Sequence, residues 1–175
     1  MNKPSVKVFG AGSIGNHLAY GCRSQQWDVT ITDTDEAALD RTRTEIYPER
    51  YGAWDESIST ELASGKPTAA GFDVAIIGTP PDSHFAIAKS LLEAEPPKVI
   101  LIEKPLATPD LAGCQELAEL AASVGTCVLV DYNHTVTPNT VSAEKLISDG
   151  AIGSPQNLQV RWVEHWGGIY KAHPW

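Results

Sequence analysis

Positive charge, cysteine and long apolar runs are all scarce in this sequence. Its 175 residues carry 13 Lys and Arg against 22 Asp and Glu, a net charge of −9. Such an excess repels a phosphate backbone, whose binding depends on Lys and Arg neutralising phosphates and releasing counterions. Nucleic acid and anionic membrane surfaces are therefore excluded as expected partners. The strongest apolar runs, at 74–77 and 99–102, are far shorter than the roughly 20 residues that cross a bilayer. The first residues, Met1 to Ser5, lack the charged start, apolar centre and cleavage site of a signal peptide, so a cytoplasmic location is expected. Cys22, Cys114 and Cys127 are scattered, with no C-x-x-C pair and no zinc-type His/Cys spacing. They read as reduced, buried apolar thiols, and no metal site is expected.

What is present is an alternation of short β-branched runs and helical periods. Val6–Phe9 ends in glycine, and Ile14, Leu18 and Cys22 then recur at helical spacing. Residues 27–32 predict a second strand, closed by Asp33-Thr34-Asp35 before a helix that starts near Ala37. Pro48, Gly52, Gly65 and Pro67 interrupt the next stretch, where the pattern suggests a short helix at 56–64. Residues 72–77, 99–102 and 127–130 predict buried strands. The helices between them are expected from Asp82/Ser83, as caps, to about Glu93, and from Thr108-Pro109-Asp110 to about Ser123. A helix of about ten residues should follow Pro138 and end near Gly150. Residues 156–165 alternate, as a half-exposed strand opening a second sheet would.

Strands apolar on both faces and separated by helices imply a parallel sheet covered on both sides, a doubly wound α/β fold of Rossmann type. Ligands of such sheets sit beyond the carboxyl ends of the strands. Residues 10–15, 79–81, 103–105 and 132–134, with Asp33, all fall there. Gly10-Ala11-Gly12-Ser13-Ile14-Gly15 fits G-x-G-x-x-G. The first glycine allows the tight turn, the second admits a pyrophosphate, and the third lets helix pack on strand. Asp33, 18 residues beyond Gly15, suits the adenosine ribose hydroxyls and would repel a 2′-phosphate, so NAD is expected over NADP. Asp35 is the better candidate for a helix cap.

In order, GAGSIG at 10–15, TPPDSH at 79–84, EKP at 103–105, DYNH at 131–134 and DGAIGSPQ at 149–156 resemble the N-terminal part of the Gfo/Idh/MocA family, the glucose-fructose oxidoreductase and inositol dehydrogenase group. The resemblance implies NAD(P)-dependent oxidation or reduction of a sugar, cyclitol or related hydroxyl. It implies that Lys104 lies beside the nicotinamide as the catalytic residue, behind a cis peptide at Pro105. Gly10, Gly12, Ser13, Ile14, Gly15, Asp33, Thr79, Pro80, His84, Glu103, Lys104 and Asn133 would contact the cofactor, and Asn133 and His134 are candidates for the substrate side. Thr135 stands where the family often has arginine.

Members of that family are longer, with a second domain carrying a D-x-x-x-H motif. The chain reaches Trp175 before that motif, and reads as residues 1–135 of cofactor domain followed by 136–175 opening a substrate or oligomerisation domain. Three of five tryptophans, Trp162, Trp166 and Trp175, fall in this last stretch, which is expected to pair with another copy or to be poorly ordered. Two other readings stay open on the residues alone: a non-catalytic nucleotide-binding module, and another two-domain reductase.

Overall fold

A computed structural model of the chain describes residues 3–161 and 163. The chain divides into two units, Met1–Tyr132 and Asn133–Trp175. The first is a six-stranded parallel sheet of order β3-β2-β1-β4-β5-β6. Its strands are β1 (Ser5–Phe9), β2 (Asp28–Asp33), β3 (Ile58–Leu62), β4 (Val74–Ile77), β5 (Val99–Glu103) and β6 (Cys127–Asp131). The helices are α1 (Ser13–Ser24), α2 (Glu36–Arg41), α3 (Tyr47–Tyr51), α4 (Pro81–Ala94) and α5 (Cys114–Val124). The chain winds outward from β1 to β3, returns across the sheet and winds out again from β4 to β6. The direction reverses between β1 and β4, where such sheets bind ligands.

Strand alternation builds two cores. Val6, Val8, Ile31 and Ile76 pack with Ala19, Leu39 and Tyr47 on one side. Phe9, Ala75, Ile77, Ile100 and Ile102 pack with Leu91, Leu92 and Leu117 on the other. Truncating one of these buried leucines to alanine would cost about 2–5 kcal/mol. One turn of π-helix, Thr42–Ile46, joins α2 to α3. It lies just before Pro48, which has no N–H to continue the α-helical ladder.

The structure departs from the sequence pattern at four places. Residues 58–62 are a strand rather than part of a helix. Each pairs with β2, Ile58 is buried, and Glu61 meets the buried Lys7 amine at 2.9 Å. The helix expected from Thr108 begins only at Cys114. Thr108 Oγ1 donates to Asp110 in a local turn, and Leu111 and Gly113 take positive φ, which breaks any helix there. Asp82 and Ser83 do not cap α4: Pro80 occupies the cap position, and Ser83 Oγ donates to the Thr79 hydroxyl and the Pro80 carbonyl. Residues 156–161 and 163 are not a strand, and among the described residues no strand pairs with them. The remainder of that run, with Trp162, Trp166 and Trp175, lies outside the described residues. Cys22 and Cys114 are half-buried, whereas Cys127 is exposed on the edge strand β6, so not all three thiols are buried. Among the described residues no helix is long and apolar enough to cross a membrane.

The second unit contains a 3-10 turn, Asn133–Val136, and α6, Pro138–Ser148. None of its described residues is buried.

Candidate cofactor site

Three glycines interlock at the point where the sheet reverses. Gly10 has φ +101°, and a Cβ there would lie 3.0 Å from the Gly78 carbonyl oxygen. A Cβ on Gly15 would lie 1.9 Å from the Gly10 oxygen, and one on Gly78 would lie 3.1 Å from Gly15 Cα. Gly78 lies outside the G-x-G-x-x-G motif. Its signal was a glycine directly after a buried strand and before Thr79-Pro80. Gly12 differs, since a Cβ there meets nothing within 4 Å. It opens onto the free space that a pyrophosphate requires.

Gly12 is also the N-cap of α1, with no side-chain cap and no acidic residue in the first turn. The leading N–H groups, those of Ser13 and Ile14 included, are therefore available to an anion. The loop carbonyls are turned the other way. Asn16 Nδ2, fully buried, donates to the Ala11 and Gly12 oxygens at 2.8 and 2.9 Å, and Thr42 Oγ1 donates to Ala11. The glycine motif does not mark Asn16, whose part appears only once the fold buries it beneath the loop.

Asp33 ends β2 against this loop. Its carboxylate accepts from Ala11 N–H at 2.7 Å and from Asp35 N–H at 2.9 Å, so its orientation is fixed. Asp35 caps α2 by accepting from Ala37 N–H. A cavity of about 190 Å³ is lined by Gly10, Thr32, Asp33, Thr34 and Thr79, among others. The buried Thr32 hydroxyl has no partner. Free space above Gly12, an uncapped helix start, a fixed carboxylate and an orphaned hydroxyl together fit a dinucleotide.

The turns after β4 and β5 are tied together by His84. It is wholly buried on α4, with Nε2 2.7 Å from the Thr79 carbonyl oxygen and Nδ1 3.1 Å from that of Pro105. Both ring nitrogens thus face backbone oxygens. His84 thereby braces the two turns against each other. The Lys104–Pro105 peptide is cis, as the family resemblance implied. Glu103 is buried at the end of β5. One carboxylate oxygen accepts from Lys104 N–H at 2.6 Å and the other lies 3.9 Å from Lys104 Nζ. The Lys104 side chain itself is 57% exposed. The turn therefore offers an amine to solvent with a buried carboxylate beneath it. Asn133 and His134 belong to the second unit.

Similarity to known proteins agrees with this geometry. The chain is 35% identical over 81 residues to an uncharacterized oxidoreductase, YdgJ, of Escherichia coli K12, a span of 46% of this chain and 22% of that protein. Its fold resembles that of an NAD binding oxidoreductase from Klebsiella pneumoniae, with TM-score 0.62 and 24% identity, over 87% of this chain and 40% of that one. It also resembles scyllo-inositol dehydrogenase from Lactobacillus casei with bound NAD(H) and scyllo-inositol, with TM-score 0.65 and 18% identity, over 87% and 43% of the two chains. The chain thus spans less than half the length of these relatives. The family model described as "Oxidoreductase family, NAD-binding Rossmann fold" matches residues 5–132, and by that match the chain belongs to the Gfo/Idh/MocA oxidoreductases.

Proposed function

We propose that this chain is the dinucleotide-binding part of an NAD-dependent dehydrogenase acting on a hydroxyl of a sugar, cyclitol or related polyol. The observation that carries the reading is the convergence of the glycine loop, Asp33, Thr79 and the Lys104 turn at the carboxyl ends of β1, β2, β4 and β5. Bound NAD would supply the hydride acceptor. The N–H groups at the start of α1 would hold its diphosphate, and Asp33 would accept from the adenosine ribose hydroxyls. The same carboxylate would repel the 2′-phosphate of NADP, which supports NAD as the preferred form.

Lys104 would stand beside the reacting hydroxyl. An ammonium there would stabilise negative charge on that oxygen, whether left as the hydroxyl proton departs before oxidation or formed as hydride reaches the carbonyl carbon in reduction, and it would orient that carbon. Glu103 would steady the amine from below. Asn133 and the segment after it would begin the domain that closes over the substrate and joins subunits.

The test is a panel of sugars, inositols and sugar acids offered to the full-length protein with NAD or NADP, wild type beside Lys104→Ala. The reading expects NADH formation with at least one polyol and its loss in the variant. Full turnover by Lys104→Ala would overturn the assignment of Lys104, and no turnover of any polyol by the wild type would overturn the substrate class.

A further inference from the structure

We infer that Arg50 is a diphosphate-binding residue of this site, supplying the side-chain cation that the glycine loop itself lacks. The inference rests on the dinucleotide reading above. The loop and the first turn of α1 (residues 10–16) contain no Lys or Arg, so the sequence offers an anion there only backbone N–H groups. Arg50 enters from elsewhere in the chain. It lies on α3, 37 residues further along, and its Nη1 donates to the Ser13 hydroxyl at 3.0 Å and to the Ser13 carbonyl oxygen at 3.3 Å. Ser13 is the first residue of α1, directly after Gly12 and the open space above it.

The local packing aims Arg50 at this position. The continuous run from α2 through the π turn to α3 is pinned against the loop and α1 at two buried points, Thr42 Oγ1 on the Ala11 oxygen and Tyr47 OH on the Asn16 oxygen. Tyr51, the next residue after Arg50, stacks on Tyr20 of α1 with ring centroids 3.8 Å apart. The backbone that carries Arg50 is therefore fixed relative to the loop.

Other arginines are committed differently. Arg23 pairs with Asp55 and Arg41 faces Asp35, whereas both hydrogen bonds of Arg50 go to the neutral Ser13. Ser13 engages one terminal nitrogen, and the rest of the planar fork keeps donors for phosphate oxygens, the geometry in which arginine exceeds lysine. In a chain of net charge −9, a guanidinium at the phosphate end of the site also offsets the repulsion of an anionic ligand.

The test is calorimetric titration of the chain with NAD, ADP-ribose and adenosine, comparing wild type, Arg50→Gln and Arg50→Lys. The expected result for Arg50→Gln is about tenfold weaker binding of NAD and ADP-ribose, with adenosine unchanged, since a charge-assisted hydrogen bond has about that value. Arg50→Lys should recover part of the loss, because it keeps the charge without the fork. Equal affinity of wild type and Arg50→Gln for NAD would overturn the inference. So would a loss that extends equally to adenosine, which would mark Arg50 as a structural tie. Wild type that binds none of the three would overturn the dinucleotide reading itself, and this inference with it.

Discussion

The two halves of the sheet offer a ligand different things. The β1–β2–β3 half presents backbone, through glycines without side chains, an uncapped helix start and a carboxylate whose oxygens accept from amides. The β4–β5–β6 half presents a side chain, an exposed lysine above a buried glutamate, on turns that a buried histidine braces. Anchoring an anionic cofactor suits the first half, because main-chain N–H groups bind phosphate without the cost of ordering long side chains. Reaction at an oxygen suits the second, because only a side chain carries a proton to a chosen atom. The division predicts that changes in the first half act on cofactor affinity and changes in the second on turnover.

The largest effect should come from a single methyl group. In Gly15→Ala the new Cβ would overlap the Gly10 oxygen, so the strand–helix turn must open. A loss of about 3 kcal/mol or more in stability, read by thermal unfolding, is expected along with loss of NAD binding. Gly12→Ala sharpens the contrast. Gly12 has φ −78° and empty space around its Cβ position, so the variant should be as stable as wild type or up to about 1 kcal/mol more stable. It should nevertheless bind NAD markedly less well in calorimetry, since the methyl occupies the phosphate space. Unchanged NAD affinity in Gly12→Ala would mean that the diphosphate lies elsewhere.

His84→Ala tests the other half. It removes a fully buried ring and the hydrogen bond that ring gives to a turn carbonyl, so about 2–4 kcal/mol should be lost in chemical denaturation. Lys104→Ala leaves the fold untouched. In the full-length protein it should lower turnover by about a hundredfold or more, with NAD affinity within about twofold of wild type. A matching drop in affinity would erase the distinction between the halves.

The smallest effect lies at the amino edge of the sheet, far from the strand ends that carry the site. Lys98 and Ser5 hydrogen-bond the Asp73 carboxylate and hold its pKa down at about 2. A depressed carboxylate pKa stabilises the fold above the unfolded value of roughly 3.9, and that contribution fades as pH falls through about 2. Asp73→Asn should therefore lower Tm slightly at pH 7, and the gap from wild type should close near pH 2, as followed by circular dichroism.

Sequence legibility follows the same division. The backbone half was readable because glycine spacing and a carboxylate at a strand end are local patterns with one physical meaning. Gly10, Gly12, Gly15 and Asp33 meet at one turn as their spacing requires. In the other half the pattern located the turns but not what holds them. A histidine in the first turn of α4 reads equally as structural or solvated, and only the fold carries it against both Thr79 and Pro105. β3 was missed for a related reason. Its single buried residue, Ile58, gives no period, and its place in the sheet depends on pairing with β2 and on the distant Lys7. The start of α5 was hidden by residues at positive φ, since a Thr-Pro-Asp sequence opens a turn as readily as a helix.

The central claim is that the residues of the first half dominate the affinity for NAD. It is tested most directly by calorimetric titration of this chain with NAD and with NADP, wild type beside Asp33→Ala. The account predicts saturable NAD binding below millimolar concentration, weaker NADP binding, and in the variant about tenfold weaker NAD binding with the preference between the two narrowed. No NAD binding at millimolar concentration, or a variant indistinguishable from wild type, would contradict it.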